Sequence, residues 1–245
     1  MPLNPVLPLY TIAISQSGNC VTCPFRKFSL FDGLETKYLE ILKSHKSIVT
    51  YRAGEILYKE GNKIQGLICL KSGKLKEFKT APSGNKLILS LKKPVEFVGL
   101  PDLLLHSNHQ TSVMALEDAE ICIVEKEDFM QVFRNNSLFA SRVSIYLARL
   151  LEESQNHLLQ LTQKHMRGRL AYALLYLREY FGERPVDHFI DSTLKRSDLA
   201  ALTNLTTANV IRTLSSFSEE SLIELHGRGI RILDHARIQQ ICELN

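Results

Sequence analysis

Residues 195–233 constrain this chain most, because two short helical patterns, a turn and a hairpin pattern follow one another there. The first helix is predicted to start at Ser197, whose hydroxyl can cap the first amides, with Asp198 favouring the positive helix end. Asn204 stands where the chain must turn through a left-handed conformation, which asparagine tolerates better than most residues. The buried side of this helix is predicted to be Leu199, Leu202 and Leu205, with the small Ala200 where two helices cross.

The second helix of this segment is predicted to begin after Thr206, whose hydroxyl can cap it. Val210, Leu214 and Phe217 follow at spacings of four and three residues, so one side should be buried against the first helix. The other side carries polar side chains that suit base edges and phosphates in a major groove: Thr207, Asn209, Arg212 and Ser216.

A hairpin with a basic tip is predicted after this helix, with residues 222–225 and 230–233 as its strands and His-Gly-Arg-Gly as its turn. Arg228 and Arg231 would then face the phosphate backbone. An ordinary helical hairpin with a solvated polar side would explain the two helices but not the following wing. The segment therefore predicts a winged helix-turn-helix that binds double-stranded DNA.

Composition adds few constraints. The chain has 245 residues, enough for two domains, and a net charge of +4. No apolar run is long enough to cross a bilayer, and the proline-broken start is a poor signal peptide. Five cysteines, an odd number without export signals, fit a reducing compartment. We therefore expect a cytoplasmic protein with no membrane partner.

Short β-type runs separated by glycine-containing turns fill residues 48–125, which predicts a compact antiparallel sandwich or barrel. The turns are expected at Gly54, Gly61, Gly73 and Gly84.

A helical period replaces the β pattern from Ser137 to about Thr162. Polar Ser154 interrupts an otherwise apolar seam and would help to fix its register. Such a seam needs a partner helix, for which a second copy of the chain is the first candidate and the helix's own domain the alternative. A helix of about 25 residues spans roughly 37 Å, and two recognition helices should lie about 34 Å apart on DNA. The seam consists of Leu147, Leu151, Ser154, Leu158 and Leu161.

In this order, a β-roll, a long helix and a winged helix-turn-helix resemble the Crp/Fnr family of bacterial transcription regulators. The resemblance extends from Cys20 to the C-terminus and is strongest in RAGEILYKEGNKIQGLICLKSGKLK and VGLPDLLLHSNHQTSVMALEDAEICIVE. It implies an α+β protein with a cyclic-nucleotide-binding-like β-roll, a homodimer on a palindromic promoter site, and RNA polymerase as a partner. The implied parts are an N-terminal segment (1–28), a β-roll sensor (29–136), a dimerisation helix (137–163) and a DNA-binding domain (164–245).

The family's cyclic-AMP-binding type carries a Gly-Glu pair for the ribose and an Arg-Ser or Arg-Thr pair for the phosphate. Here Val98-Gly99-Leu100 stands at the first position and His109-Gln110 at the second. An anion buried there without an arginine would be unpaired, which costs several kcal/mol. The resemblance therefore argues against cyclic AMP and leaves the cofactor unknown.

The family's oxygen-sensing type holds an iron-sulfur cluster on three N-terminal cysteines and one in the β-roll. Cys20, Cys23 and Cys122 match three of these ligands, whereas Ser29 stands at the fourth position, and serine is a poor ligand. A Cys20–Cys23 thiol switch, or no redox role for the cysteines, stays open. His106 and His109, expected in an exposed loop, are candidates for haem ligation or ordinary solvated side chains.

The recognition helix departs from the best-known members of this family, because Ala208 aligns with a glutamate that accepts from cytosine. Arg212 is then expected to read guanine and Asn209 adenine. Thr207, Ser216 and Arg228 are expected to contact phosphates.

A β-roll that binds an effector and regulates a partner protein without DNA is the alternative. The sequence shows no paired nucleophile and base, metal-ligand helix motif or phosphate loop, so no enzyme is expected.

Overall fold

The computed structural model describes residues 21–23 and 25–243. A 3-10 turn (Arg26–Phe28) precedes the regular elements. The helices are α1 (Thr36–Ser44), α2 (Leu100–Leu104), α3 (Lys126–Asn135), α4 (Ser137–Gln163), α5 (Met166–Phe181), α6 (Arg196–Thr203), α7 (Thr207–Glu219) and α8 (His235–Glu243). The strands are β1 (Ser47–Tyr51), β2 (Ile56–Tyr58), β3 (Gly66–Ser72), β4 (Leu75–Thr80), β5 (Lys86–Lys92), β6 (Phe97–Val98), β7 (Ser112–Ala115), β8 (Ala119–Glu125), β9 (Ile223–His226) and β10 (Gly229–Ile232).

Two four-stranded antiparallel sheets form the N-terminal roll, with strand orders β1-β8-β3-β6 and β2-β7-β4-β5. The predicted β architecture is confirmed, and the four glycines named for its turns all have positive φ. Sequence periodicity missed β6 and β7, which have two and four residues and are too short to show alternation. Apolar side chains that face inward between the sheets fill the roll, including Leu70, Leu75, Val113 and Ile121.

Helices α1, α3 and α4 cover the outer face of the first sheet. Their apolar sides meet in a core that contains the fully buried Phe129 and Phe139. Asn136 caps α4, because its side chain accepts from the amide of Phe139 at 2.8 Å. The predicted long helix is confirmed, and it starts from an anchored end.

The C-terminal half forms its core from α5, α6, α7, α8 and the hairpin β9–β10. Phe78, Ile88 and Leu91 of strands β4 and β5 are buried in this same core. The outer face of the second sheet therefore packs directly against the helix-turn-helix, which joins the two halves through apolar contact.

Polar contacts reinforce this junction. The Lys76 ammonium on β4 lies 2.5 Å from the Asp198 carboxylate on α6, and both side chains are only 11% exposed. Lys74 contacts Asp191 at 3.0 Å. The Tyr180 hydroxyl on α5 donates to the Glu96 carboxylate in the turn before β6. Contacts from three separate elements thus fix the orientation of the C-terminal half.

Replacing Lys76 with methionine is expected to destabilise the protein by about 3 kcal/mol, because the buried Asp198 carboxylate loses its ion-pair partner. The control is Lys79→Met on the same strand, where the side chain is 47% exposed and the ammonium lies 3.9 Å from Glu60. That change should stay within about 0.5 kcal/mol. Urea unfolding measures both, and equal losses would contradict a special role for the buried pair.

Candidate nucleic-acid interface and sensor site

The first helix of the helix-turn-helix, α6, starts one residue earlier than predicted. Lys195 is its N-cap, and the Asp198 carboxylate accepts from the Lys195 amide at 3.0 Å. Ser197 lies inside the first turn, so its prediction as the cap was wrong. One carboxylate thus serves both the helix start and the ion pair with Lys76, and periodicity could not reveal this double use.

The turn between α6 and α7 has the predicted conformation. Asn204 adopts φ 50° and ψ 48°, which is left-handed. Arg169 on α5 donates to the carbonyl oxygens of Thr203 at 3.4 Å and Asn204 at 3.1 Å. This arginine, which the sequence patterns did not single out, therefore stabilises the turn through hydrogen bonds from α5.

Helix α7 is capped and buried as predicted. The Thr206 hydroxyl accepts from the Asn209 amide at 3.2 Å, and Val210, Leu214 and Phe217 are buried. These contacts fix which side of α7 faces the protein. The other side is left to solvent.

The outer side of α7 carries the exposed Thr207 and Arg212. The Arg212 guanidinium donates to the Asn209 side-chain oxygen at 2.6 Å. Asn209 is half-buried at the margin of this side. A guanidinium has five N–H donors, so this contact leaves others available outside the domain.

Ser216, which is predicted to contact phosphate, has hydrogen-bond partners within its own domain. Its hydroxyl donates to the Glu220 carboxylate at 2.7 Å and accepts from Arg167 at 2.7 Å. Arg167 also forms two hydrogen bonds of 2.8 Å to Glu220, and its guanidinium lies over the Phe217 ring. Hydrogen bonds from Arg167, and then from Ser216, lower the pKa of Glu220 to about 2. The Ser216 hydroxyl is thus engaged inside the domain.

The wing is held in place by an arginine from α6. Arg196 donates to the carbonyl oxygens of Gly227 at 3.0 Å and Arg228 at 3.2 Å, and burial lowers its pKa. Gly227 has φ 56°, which the tight turn requires. Arg228 stands exposed at the tip. The sequence identified the tip but not the residue that supports it.

Arg231, the other predicted phosphate contact of the wing, has interaction partners within the domain. It pairs with Glu224, donates to the carbonyl of Asp187 at 3.3 Å, and lies over the Phe189 ring. The wing therefore offers one outward arginine, Arg228.

A second polar site lies in the β-roll. His109 is 3% exposed and stacks on Tyr58, with ring centroids 3.5 Å apart. Its Nδ1 is 3.5 Å from the Asp102 carboxylate. Burial lowers the pKa of His109, and Asp102 opposes this shift. The expectation of an exposed loop histidine was wrong for His109, whereas His106 is exposed.

Tight packing surrounds His109. Gly99 has φ 72°, and a Cβ there would lie 2.9 Å from the histidine Cε1. Leu100 is fully buried. The Glu77 carboxylate accepts from the hydroxyl of Thr111 at 2.7 Å, close to the same site. The two carboxylates, Asp102 and Glu77, make this region unfavourable for a phosphate.

Two of the three predicted cysteine ligands lie among the described residues. Cys20 lies outside the described residues, while Cys23 and Cys122 are half-buried. Cys122 on β8 stands directly opposite Cys69 on β3 in the strand register. Within the described part of the chain, no three His, Cys, Asp or Glu side chains are grouped to hold a metal ion.

Ser29 does not fit the role of a fourth cluster ligand. Its hydroxyl donates to the carbonyl oxygen of Arg26 at 2.8 Å and accepts from the Phe31 amide at 3.1 Å. It therefore closes the local turn.

The seam predicted on α4 is largely open in the single chain. Leu151 and Leu158 are 60% and 61% exposed, and Ser154 is exposed between them. Leu147 packs partly against its own domain, and Leu161 is half-buried. Further exposed apolar side chains that the seam pattern did not include are Leu138, Ile145 and Leu159.

Comparison with known proteins gives two domain matches. Residues 48–136 match the cyclic nucleotide-binding domain, and residues 168–241 match the Crp-like helix-turn-helix domain. The chain is 30% identical over 213 residues to a cyclic AMP receptor protein of Thermus thermophilus, covering 86% of this chain and 95% of that protein. It is 23% identical to the fumarate and nitrate reduction regulatory protein of Vibrio cholerae, covering 92% of each.

Solved structures share the fold. FixK2 from Bradyrhizobium japonicum superposes with a TM-score of 0.72 at 20% identity, covering 80% of this chain and 96% of that one. A Crp/Fnr-family regulator from Eubacterium rectale also gives 0.72, at 18% identity, covering 87% and 97%. None of the helices described for this chain is long and apolar enough to span a membrane.

Proposed function

The chain belongs to the Crp/Fnr family of DNA-binding transcription regulators, a family of regulators and not of enzymes, and we propose that it acts as a homodimer on a palindromic promoter site. The observation that carries this proposal is the fixed orientation of α7. Its inner side is buried, its turn is held by Arg169, and its polar outer side faces solvent. Such a helix can enter a major groove without rearrangement.

In this proposal, Arg212 contacts a guanine through its free N–H groups. Asn209 orients Arg212 through its side-chain oxygen and is the proposed reader of adenine. Thr206 and Thr207 at the start of α7, and Arg228 at the wing tip, contact phosphates. Ser216 is left out because its hydroxyl already serves Arg167 and Glu220.

The second subunit is proposed to pack along α4. Leu151 and Leu158 are exposed one heptad apart, with Ser154 between them, and Leu147 and Leu161 flank this stretch. Burying such side chains against an identical helix is favourable. The helix has 27 residues, about 40 Å of length, which is enough to align two subunits side by side.

The signal is proposed to enter through the roll and to reach the helix-turn-helix along β4. Lys76 on this strand pairs with Asp198 of α6, while its neighbour Glu77 accepts from Thr111 near His109. Adjacent strand residues point to opposite faces of the sheet. A shift of β4 at the inner site would therefore move the contact with α6.

Cyclic AMP is not the proposed signal. The buried Leu100 and His109 replace the groups that would meet the ribose and the phosphate, and Asp102 and Glu77 place negative charge nearby. We further propose RNA polymerase as the partner on the promoter, and the cytoplasm, where that DNA lies, as the location.

Arg212→Ala is expected to weaken binding to the specific site by about 1 to 3 kcal/mol and to flatten discrimination at one base pair. Arg228→Ala is the comparison, because loss of a phosphate contact should weaken specific and random DNA equally. Fluorescence anisotropy with both duplexes measures this. If Arg212→Ala loses equal affinity for the specific and the random duplex, Arg212 contacts only phosphate.

Changing Leu151 and Leu158 together to Asp is expected to give monomers, because two carboxylates would be buried in each copy's seam. Asn156→Asp with Gln163→Asp is the matched control. Both of these residues are exposed and one heptad apart, at least about 120° around the helix from the seam. Sedimentation velocity measures the oligomeric state. A dimer that survives the leucine changes would place the interface elsewhere.

The proposed ligands of an iron-sulfur cluster remain Cys20, Cys23 and Cys122. Ser29 does not supply the fourth ligand. Protein purified without oxygen should then carry stoichiometric iron and sulfide and a broad visible band that air bleaches. Ser29→Ala should keep the iron, whereas Cys69→Ala tests the thiol opposite Cys122 as the fourth ligand. Colourless protein free of iron and sulfide would reject the ligand set.

A further inference from the structure

Helix α7 exposes an apolar side chain that its packing does not need. Ile211 is 49% exposed, while its neighbour Val210 is fully buried. The core side of the helix is already complete with Val210, Leu214 and Phe217. Ile211 therefore contributes little to the fold. Its apolar side chain is available to a partner that contacts α7.

The neighbours of Ile211 on α7 indicate what kind of surface it belongs to. It lies four residues after Thr207 and four before Ser215, so these three side chains form one line along the outer side of α7. Arg212 is the adjacent residue and is exposed. The line contains no acidic side chain, so nothing in it repels a DNA backbone.

Exposed apolar side chains are ordinary when they are scattered singly. In the described part of the C-terminal half, the large ones are Met166, Val186, Ile211 and Leu233. Of these four, Ile211 is the one on α7. Ile211 differs from the other three because it lies beside Arg212, the proposed guanine contact.

We propose that Ile211 reads the C5-methyl group of a thymine next to the base pair that Arg212 contacts. This inference rests on the proposed function, since it requires α7 to lie in the major groove. The methyl group is the apolar feature of that groove, and only thymine carries it there among the four bases. A branched aliphatic side chain excludes water from the methyl group, and Ile211 cannot form a hydrogen bond that would favour another base.

Deoxyuridine gives the test, because it lacks only the methyl group and keeps the base pairing of thymine. A high-affinity duplex is first selected from a random library with the full-length wild-type protein. Each thymine is then replaced by deoxyuridine, in both half-sites together, and affinity is measured by fluorescence anisotropy. Burial of one methyl group is worth roughly a factor of four in affinity.

For the wild type, we expect one thymine position at which the double replacement weakens binding about 15-fold, from two factors of roughly four. Ile211→Ala should bind the thymine duplex about as weakly as the wild type binds the deoxyuridine duplex, and should lose less than about twofold further on the replacement. Ile211→Val should retain most of the effect. Leu233→Ala is the control, because Leu233 is similarly exposed but lies outside α7.

A deoxyuridine effect that is equal in the wild type and Ile211→Ala, or absent from every position, overturns the assignment while sequence-specific binding stands. A wild-type protein that selects no sequence from the library overturns the proposed function itself, and this inference with it. Because Ile211 is exposed and lies in a helix, the alanine variant is expected to fold.

Discussion

The buried contact between Lys76 and Asp198 joins the parts of this protein on which its function depends. Lys76 belongs to the second sheet of the roll, and Asp198 lies in the first turn of the first helix of the helix-turn-helix. Two opposite charges this far from water are stable only as a pair. The apolar contacts around them, from Phe78, Ile88 and Leu91, exclude water and fix the same geometry. The orientation of the recognition helix is thereby tied to the position of β4.

In the proposed function, this connection is the route by which the roll controls DNA binding. The polar site around His109 lies on the inner face of the second sheet, and the contact with α6 lies on its outer face. Tyr58, His109 and Asp102 are close-packed, with little solvent access. Interiors packed in this way change between discrete arrangements rather than deforming smoothly. A signal that rearranges this site would therefore reposition the sheet as a unit.

The surface of the helix-turn-helix and its wing combines fixed and free groups. Arg169 and Arg196 hold the turn and the wing through backbone carbonyls, and Arg167 holds the end of α7 through Glu220. These three arginines serve positioning. Arg212 and Arg228 remain exposed and are available for contacts outside the domain.

Local sequence rules accounted for the features that depend on near neighbours. The left-handed turn at Asn204, the cap at Thr206 and the buried side of α7 follow from residue chemistry and helical spacing. The glycine turns of the roll and the long helix α4 follow in the same way. The family resemblance added what spacing could not: that Val98-Gly99-Leu100 and His109-Gln110 stand where the cyclic-AMP cassette would be.

Tertiary structure decided the features that depend on residues distant in the chain. Only the fold brings Lys76, 122 positions away, to the Asp198 carboxylate that also accepts from the Lys195 amide at the start of α6. Ser216 accepts from Arg167, 49 positions away, and Arg231 donates to the carbonyl oxygen of Asp187, 44 positions away. A side chain's free energy depends on every charge and donor around it, and sequence spacing reports only the neighbours along the helix or strand. The sequence by itself thus determined the elements and the type of surface, whereas the fold decided which side chains that surface leaves free to bind.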